Sequence, residues 1–273
     1  MIKPEAYFID IDGTLLRSGT MGKINLDDKF AIKNASKKGI YIVLCTGRSL
    51  SDVRSIWKQI YDETKFTSYV IVNNGSAIWN LKTNEILFED WISKEDFENI
   101  FKYAENKNYA IRSSDKKQFY VKPGIISFVL NKNKNISIEH DFNKIDYNNE
   151  SAKKLGIICH YSKKKVSKIS KDIENKFKNV DVSVSGSGIY IEVNKKGISK
   201  GSAIKFLSNK LNFNIKNSVH IGDSMNDASA FKVVGASVAM GNSMKDIKKM
   251  ATYKTSSVKK SGVANAIKSF GSI

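Results

Sequence analysis

Proline, cysteine and arginine are scarce in this chain of 273 residues, and each shortage excludes something. Two prolines rule out a proline-rich linker or a collagen-like repeat. The two cysteines, Cys45 and Cys159, form no CxxC pair and lie in apolar, strand-like runs, so neither a disulfide nor a zinc site is expected. No apolar stretch approaches the roughly 20 residues that span a bilayer. The opening Met1-Ile2-Lys3-Pro4-Glu5 also lacks the apolar segment of a signal peptide, and the expectation is a cytoplasmic protein with no membrane partner.

Negative charge is in short supply too: 45 basic residues face 27 acidic ones, for a net charge of +18. By itself that surplus points to an anionic partner such as nucleic acid. Arginine, however, occurs only at positions 17, 48, 54 and 112. A surplus made almost wholly of lysine suits solvated faces better than a groove reader, which favours the bidentate fork of arginine. Nucleic acid is therefore disfavoured as a partner, and a non-catalytic nucleic-acid or anion-binding protein is kept only as an alternative from another class.

What remains is globular in composition, with 41% hydrophobic and 26% charged residues. The length suits about two domains. Ala6–Ile11 is a short apolar run stopped by Asp12-Gly13-Thr14, which reads as a buried strand ending in a polar turn. A helix follows, with Phe30, Ala31 and Ala35 expected on its buried face and Gly39 just beyond its end. A second strand, Ile40–Cys45, is closed by Thr46-Gly47-Arg48 and followed by a helix from about Ser49 to Ile60. Tyr69–Val72 is a third strand, ending at Asn73-Asn74-Gly75. Continuous apolar strands alternating with helices predict a parallel sheet covered on both faces.

Beyond about Asn84 the texture changes. Strand-like segments Ile86–Trp91, Gln118–Lys122 and Ile125–Leu130 crowd around a few helices. One helix starts at Ser93, with Asp96 three residues on and a stripe of Phe97, Ile100, Phe101 and Ala104. Another runs over 163–178, striped by Val166, Ile169, Ile173 and Phe177. The strand–helix rhythm returns at Ile189–Val193, continues in a helix from about Lys200 and in strand Ser218–Ile221, and ends with Val238-Ala239-Met240-Gly241-Asn242. The expected organisation is α/β: a core formed by residues 1–83 and 188–273, with an α+β insertion over 84–187.

The chemistry lies in the turns. Asp10 and Asp12 follow the first strand, and Gly222-Asp223-Ser224-Met225-Asn226-Asp227 carries a second acidic pair after another. In an open parallel sheet such turns lie at the carboxyl ends of the strands, where ligands bind. Carboxylates brought that close repel unless a cation or a proton intervenes, and an all-oxygen donor set suits Mg²⁺ together with a phosphate. Lys200 opens a helix whose free N–H groups favour anions, and Gly13, Gly47 and Gly201 allow backbone to approach an oxyanion.

These residues resemble the haloacid dehalogenase-like phosphatases, and among them the Cof-type subfamily. Phe8-Ile9-Asp10-Ile11-Asp12-Gly13-Thr14-Leu15 is similar to the first family motif, Leu44-Cys45-Thr46-Gly47-Arg48 to the second, Ser199-Lys200-Gly201 to the third and Gly222–Asp227 to the fourth. The order is that of the family, and the insertion falls between the second and third motifs. The resemblance implies a Rossmann-like parallel-sheet core with an inserted α+β cap, and Mg²⁺-dependent hydrolysis of small phosphorylated metabolites such as sugar phosphates, nucleotides or phosphorylated cofactors. It implies Asp10 as the nucleophile that becomes an aspartyl-phosphate and Asp12 as general acid and then base. Thr46 and Lys200 would steady the phosphoryl oxygens, and Gly13, Gly47, Arg48 and Asn226 would join them around the phosphate. Mg²⁺ would be held by Asp10, the Asp12 backbone carbonyl and Asp223, with Asp227 and Asn226 supporting the metal or Lys200. A phosphomutase of sugar phosphates is the nearest alternative, since the same residues serve transfer when water is excluded.

Other features have plainer readings. Arg48 suits a surface ion pair as well as it suits phosphate. His220, in an apolar strand, reads as a structural histidine, and His140 and His160 offer no site. Ser185-Gly186-Ser187-Gly188 lacks the spacing of a dinucleotide fingerprint and reads as a turn or hinge. The lysines at 163–165 read as a solvated helix start.

Overall fold

The computed structural model describes residues 2–17, 22–114, 118–132, 136–148, 150, 152–160, 162–184 and 188–272; of Ser185-Gly186-Ser187-Gly188, only Gly188 falls within them. In chain order the elements begin with β1 (Ala6–Ile9), α1 (Leu26–Lys37), β2 (Tyr41–Cys45), α2 (Leu50–Trp57), β3 (Tyr69–Val72), β4 (Ala77–Asn80) and β5 (Glu85–Glu89). They continue through α3 (Lys94–Asn106), β6 (Ala110–Ser113), β7 (Gln118–Tyr120), α4 (Ile125–Asn131), β8 (Ser137–Glu139), β9 (Lys154–Ile158), α5 (Lys163–Lys176), β10 (Val180–Val184) and β11 (Tyr190–Lys195). The last are α6 (Lys200–Leu211), β12 (Ser218–Gly222), α7 (Ala228–Phe231), β13 (Ala236–Ala239), α8 (Lys245–Met250), β14 (Tyr253–Lys254) and α9 (Gly262–Ser269). The chain divides into two compact units: Met1–Glu89 with Ser199–Ile273, and Asp90–Ile198.

The first unit holds an eight-stranded sheet in the order β14-β13-β12-β1-β2-β3-β4-β5, parallel from β14 to β3. β4 and β5 run antiparallel at the far edge. Its strands read as unbroken apolar runs because side chains alternate between two buried faces. Tyr7, Ile9, Ile42, Leu44, Val70, Val72, Val219 and Ile221 pack on one side with Ala31, Ile32 and Ala35 of α1, Val53 and Ile56 of α2, and Val263 and Ile267 of α9. Phe8, Val43, Cys45 and Ile71 pack on the other, with Ala203, Ile204 and Leu207 of α6 and Ala230 of α7. Each fully buried Val, Leu, Ile or Phe among them contributes about 1.5–3 kcal/mol. Phe30, expected on the buried face of α1, is 67% exposed. Adjacent helix positions are about 100° apart, so the face that buries Ala31, Ile32 and Ala35 leaves Phe30 to its flank.

The second unit is a six-stranded sheet, β10-β11-β9-β6-β7-β8, antiparallel apart from the β7–β8 pair. Its larger core places Phe97, Ile100, Phe101 and Ala104 of α3 and Val166 and Ile173 of α5 against Ile111, Leu155, Ile157, Ile191 and Val193. The start of α3 is fixed as the sequence implies: Ser93 Oγ accepts from Asp96 N at 3.1 Å and donates to Asp96 Oδ2 at 2.6 Å.

Three segments differ from the sequence reading. Ile125–Leu130, expected as a strand, is helix α4, capped at Gly124, where Ser127 Oγ accepts from Gly124 N at 2.9 Å and donates to Gly124 O. Ile126 and Leu130, four apart, pack together on one side, a helical spacing hidden inside a continuous apolar run. The strand expected over Ile86–Trp91 as part of the insertion is β5, which extends the first sheet as an antiparallel edge. The strand expected to resume the core at Ile189–Val193 is β11, which lies between β10 and β9 in the second sheet. In both cases the local pattern identifies a strand and cannot identify its partner.

One buried charge closes the first sheet's helical layer. Asp28 Oδ1 accepts from Ala264 N in the first turn of α9 at 2.8 Å, whereas its Oδ2 has no partner among the described residues. Burial, with the neighbouring charge of Asp27, pushes this carboxyl up to about 6 against the opposing backbone N–H groups of Ala264 and Val263. Because the folded value lies above the unfolded one, the native state binds the proton more tightly. Stability from this group is complete below about pH 4 and is lost as pH rises through 6. Melting temperatures should show the Asp28→Asn variant gaining on wild type between pH 4 and 7; a difference that stays constant with pH rules this assignment out.

Candidate active site

β12, β1 and β2 are neighbours in one parallel sheet, so the turns after their carboxyl ends lie side by side. Asp10 follows β1 and keeps strand pairing for one more residue, donating its N–H to Ile221 O at 3.0 Å. Thr46 follows β2 in the same way, donating its N–H to Ile71 O at 2.9 Å. Asp223 follows β12. Two glycines permit the approach. A Cβ on Gly13, whose φ is +82°, would lie 2.0 Å from Asp223 Oδ2, and one on Gly222 would lie 2.3 Å from Asp227 Cγ.

Lys200 is the first residue of α6, held there by Ser199, whose Oγ accepts from Ser202 N at 3.2 Å. Its side chain is 0% exposed, and Nζ donates to Asp10 Oδ1 and to Asp227 Oδ1, each at 2.7 Å. Burial alone would push the ammonium down; Asp10 and Asp227 overcome it and hold the lysine well above its ordinary value. Burial likewise opposes ionisation of Asp227, yet Lys200 and the hydrogen bond from His220 bring that carboxyl below the usual range.

Asp227 is saturated. Oδ1 accepts from Lys200 and from His220 Nε2 at 2.8 Å, and Oδ2 accepts from the backbone N–H groups of Asp223 and Ser224 at 2.9 and 3.0 Å. A carboxylate offers about four lone-pair sites, so Asp227 fixes the loop that carries Asp223. Carboxylate oxygens of Asp10, Asp223 and Asp227 all lie within 4.8 Å of one another. Three carboxylates around one ammonium leave two negative charges unbalanced. Burial, together with Asp227 and Asp223, raises Asp10 well above the ordinary range despite Lys200; burial and Asp227 push Asp223 up to about 7. Asp223 Oδ1 is buried with no hydrogen-bond partner among the described residues. Hard oxygen donors, two surplus charges and an orphaned oxygen fit a divalent cation on Asp10 and Asp223.

Asp12 and Arg48 form a separate pair. Arg48 Nε donates to Asp12 Oδ2 and Nη2 to Asp12 Oδ1, both at 2.7 Å, a bidentate fork with the carboxylate partly exposed. These hydrogen bonds, donated to Asp12, hold the guanidinium above its ordinary value. The side chain of Asp12 therefore lies outside the three-carboxylate cluster, and Arg48, expected on phosphate, is engaged with Asp12. Thr46 is buried, with Oγ1 accepting from Arg48 N at 3.2 Å across the Gly47 turn. Asn73 N donates to Arg48 O and Asn74 N to Thr46 O, both at 2.9 Å, which straps this turn to the positive-φ pair Asn73-Asn74. Asn226 completes the strap: Nδ2 donates to Asn74 Oδ1 at 3.2 Å, and Oδ1 accepts from Ser224 Oγ at 2.8 Å. The residue that sequence reasoning set aside is His220, which sits in the centre of this network. No spacing signal marks it, because a histidine inside an apolar strand has no partner visible in the sequence.

Comparison with known proteins agrees with this architecture. A family model for haloacid dehalogenase-like hydrolases matches residues 7–267. The 5-amino-6-(5-phospho-D-ribitylamino)uracil phosphatase YcsE of Bacillus subtilis is 31% identical over 95% of this chain and 93% of its own. A phosphoglycolate phosphatase of Nitrosopumilus maritimus is 25% identical over 97% and 96%. A solved haloacid dehalogenase-like hydrolase from B. subtilis superposes with a TM-score of 0.79 at 24% identity, covering 97% of this chain and 99% of that one. With a matching motif set, a sheet that gathers it and relatives aligned from end to end, the chain belongs to the haloacid dehalogenase-like hydrolase family, as one of its phosphatases.

Proposed function

We propose that this protein is a Mg²⁺-dependent phosphatase that hydrolyses small phosphorylated metabolites, such as sugar phosphates, nucleotides or phosphorylated cofactors, through an aspartyl-phosphate on Asp10. The observation that carries the reading is the gathering of Asp10, Asp223 and Asp227 around the buried ammonium of Lys200. Relatives named for a phosphorylated ribitylaminouracil and for phosphoglycolate support small monoesters as the substrate class.

Lys200 ties Oδ1 of Asp10, leaving Oδ2 to attack phosphorus in line. As the Asp10–phosphorus bond forms, the bond to the ester oxygen breaks, and Asp12 gives its proton to the departing alcohol. In the second step Asp12, now a carboxylate, takes a proton from water; the water oxygen bonds to phosphorus, the Asp10–phosphorus bond breaks and inorganic phosphate leaves. Lys200, Thr46 and Asn226, with the backbone of the Gly13 and Gly47 turns, steady the phosphoryl oxygens in both steps. Mg²⁺, held by Asp10, Asp223 and the Asp12 backbone carbonyl, supplies when bound the positive charge that lets an anionic ester approach a carboxylate. Arg48 holds Asp12 as a carboxylate in the resting enzyme and releases it for Asp12 to take up the proton that it delivers in the first step. The second unit serves as the cap that selects the leaving group.

A phosphate-release screen over phosphorylated metabolites tests the whole reading: activity should need Mg²⁺, vanish with chelator and return on adding the ion back. Asp10→Asn should be folded and inactive, and wild-type turnover in that variant removes Asp10 from the mechanism. Asp12→Asn should lower kcat/KM, which reports only the steps through phosphoenzyme formation, by about 10²- to 10⁴-fold on alkyl phosphates and much less on p-nitrophenyl phosphate, whose leaving group needs little protonation; equal losses on both overturn the acid role. Mg²⁺ alone should raise the melting temperature of wild type through preferential binding to the folded state. Asp223→Asn should abolish that rise, and an undiminished rise places the ion elsewhere.

A further inference from the structure

We propose that His220 is a positioning residue of this centre: its Nε2–H fixes Asp227 so that Lys200 is shared with Asp10 rather than drawn onto Asp227 alone. His220 lies in mid-strand on β12, between Val219 and Ile221, paired across the sheet with Phe8 and Ser237 and fully buried. Phe231 meets its ring edge-on at 5.6 Å.

Hydrogen bonding identifies what the imidazole is for. Asp227 Oδ1 is an acceptor, already bound to Lys200, so the Nε2 atom 2.8 Å away must carry the hydrogen. In the neutral ring Nδ1 is then an acceptor, and it is buried with no partner among the described residues. Half of the polarity of the ring is thus wasted, and an orphaned buried acceptor is destabilising. An apolar side chain would avoid that loss, so among the described residues the Nε2 bond to Asp227 is the contact that gains from a histidine.

That bond sets a balance of donors. Asp227 Oδ2 is held by two backbone N–H groups, while Oδ1 divides its capacity between His220 and Lys200. Without His220, Oδ1 has only the ammonium to accept from, which draws Nζ toward Asp227 and away from Asp10. The nucleophile then loses the contact that orients its second oxygen. This step rests on the phosphatase reading for its kinetic consequence and on geometry alone for its structural one.

Glutamine and asparagine separate the two ring nitrogens. The amide nitrogen of glutamine falls near the Nε2 position, whereas that of asparagine falls near Nδ1. His220→Gln should keep kcat for p-nitrophenyl phosphate within about three-fold of wild type, and His220→Asn and His220→Leu should each lose ten-fold or more in kcat with KM nearly unchanged. In crystal structures the Lys200 Nζ to Asp10 Oδ1 distance should stay near 2.7 Å in the Gln variant and lengthen in the Asn variant. Wild-type kcat in His220→Leu, or equal losses and equal distances in the Asn and Gln variants, overturn the proposal. Melting curves run in parallel separate loss of positioning from loss of fold. Should wild type release no phosphate from any ester, the phosphatase reading fails, and the Lys200–Asp10 distance in the two amide variants still decides the role of His220.

Discussion

A lysine ammonium with no exposure to water is held in place by two carboxylates, and the rest of the active region is arranged around that fact. Burying an ammonium costs several kcal/mol, and only close, well-directed partners offset it. Asp10 and Asp227 are those partners, and they come from opposite ends of the chain. Their pairing with Lys200 joins the turn after β1, the start of α6 and the loop after β12 into one electrostatic unit. Removing Lys200 leaves two buried carboxylates uncompensated, whereas removing either carboxylate leaves the ammonium paired with the other.

The sheet makes that unit possible. Parallel order places the carboxyl ends of β12, β1 and β2 next to one another, so residues about 190 positions apart in sequence become neighbours without long or strained connections. Gly13 and Gly222 admit carboxylates where any Cβ would collide with them. The central strands are apolar on both faces, which explains why carboxylates gather in the turns at their ends, clear of the core.

Legibility in the sequence followed the range of the interaction responsible. Ser93 with Asp96 and Gly39 after α1 are local devices, acting within three or four residues, and the chain announces them. Ile125–Leu130 was ambiguous because a six-residue apolar run suits a strand and a helix equally, and the decision lay with Gly124, Ser127 and the packing of Ile126 with Leu130. The strands at β5 and β11 were visible as strands, but their sheet depends on hydrogen bonds to β4 and to β9 and β10, and no side-chain pattern in either segment encodes those partners. The hold of Arg48 on Asp12 and the bond from His220 to Asp227 were hidden for the same reason.

The amino-acid sequence by itself determined the α/β character of the chain, the family and the set of acidic, basic and glycine residues available for chemistry, because periodicity and short motifs are properties of neighbouring residues. Tertiary structure alone decided which of those groups meet: that Asp227 is spent on anchoring, that one Asp223 oxygen has no partner among the described residues, that Arg48 faces a carboxylate and that a histidine read as structural touches the centre. Those outcomes follow from strand order and loop register, which bring side chains within 3 Å only after the whole sheet has formed.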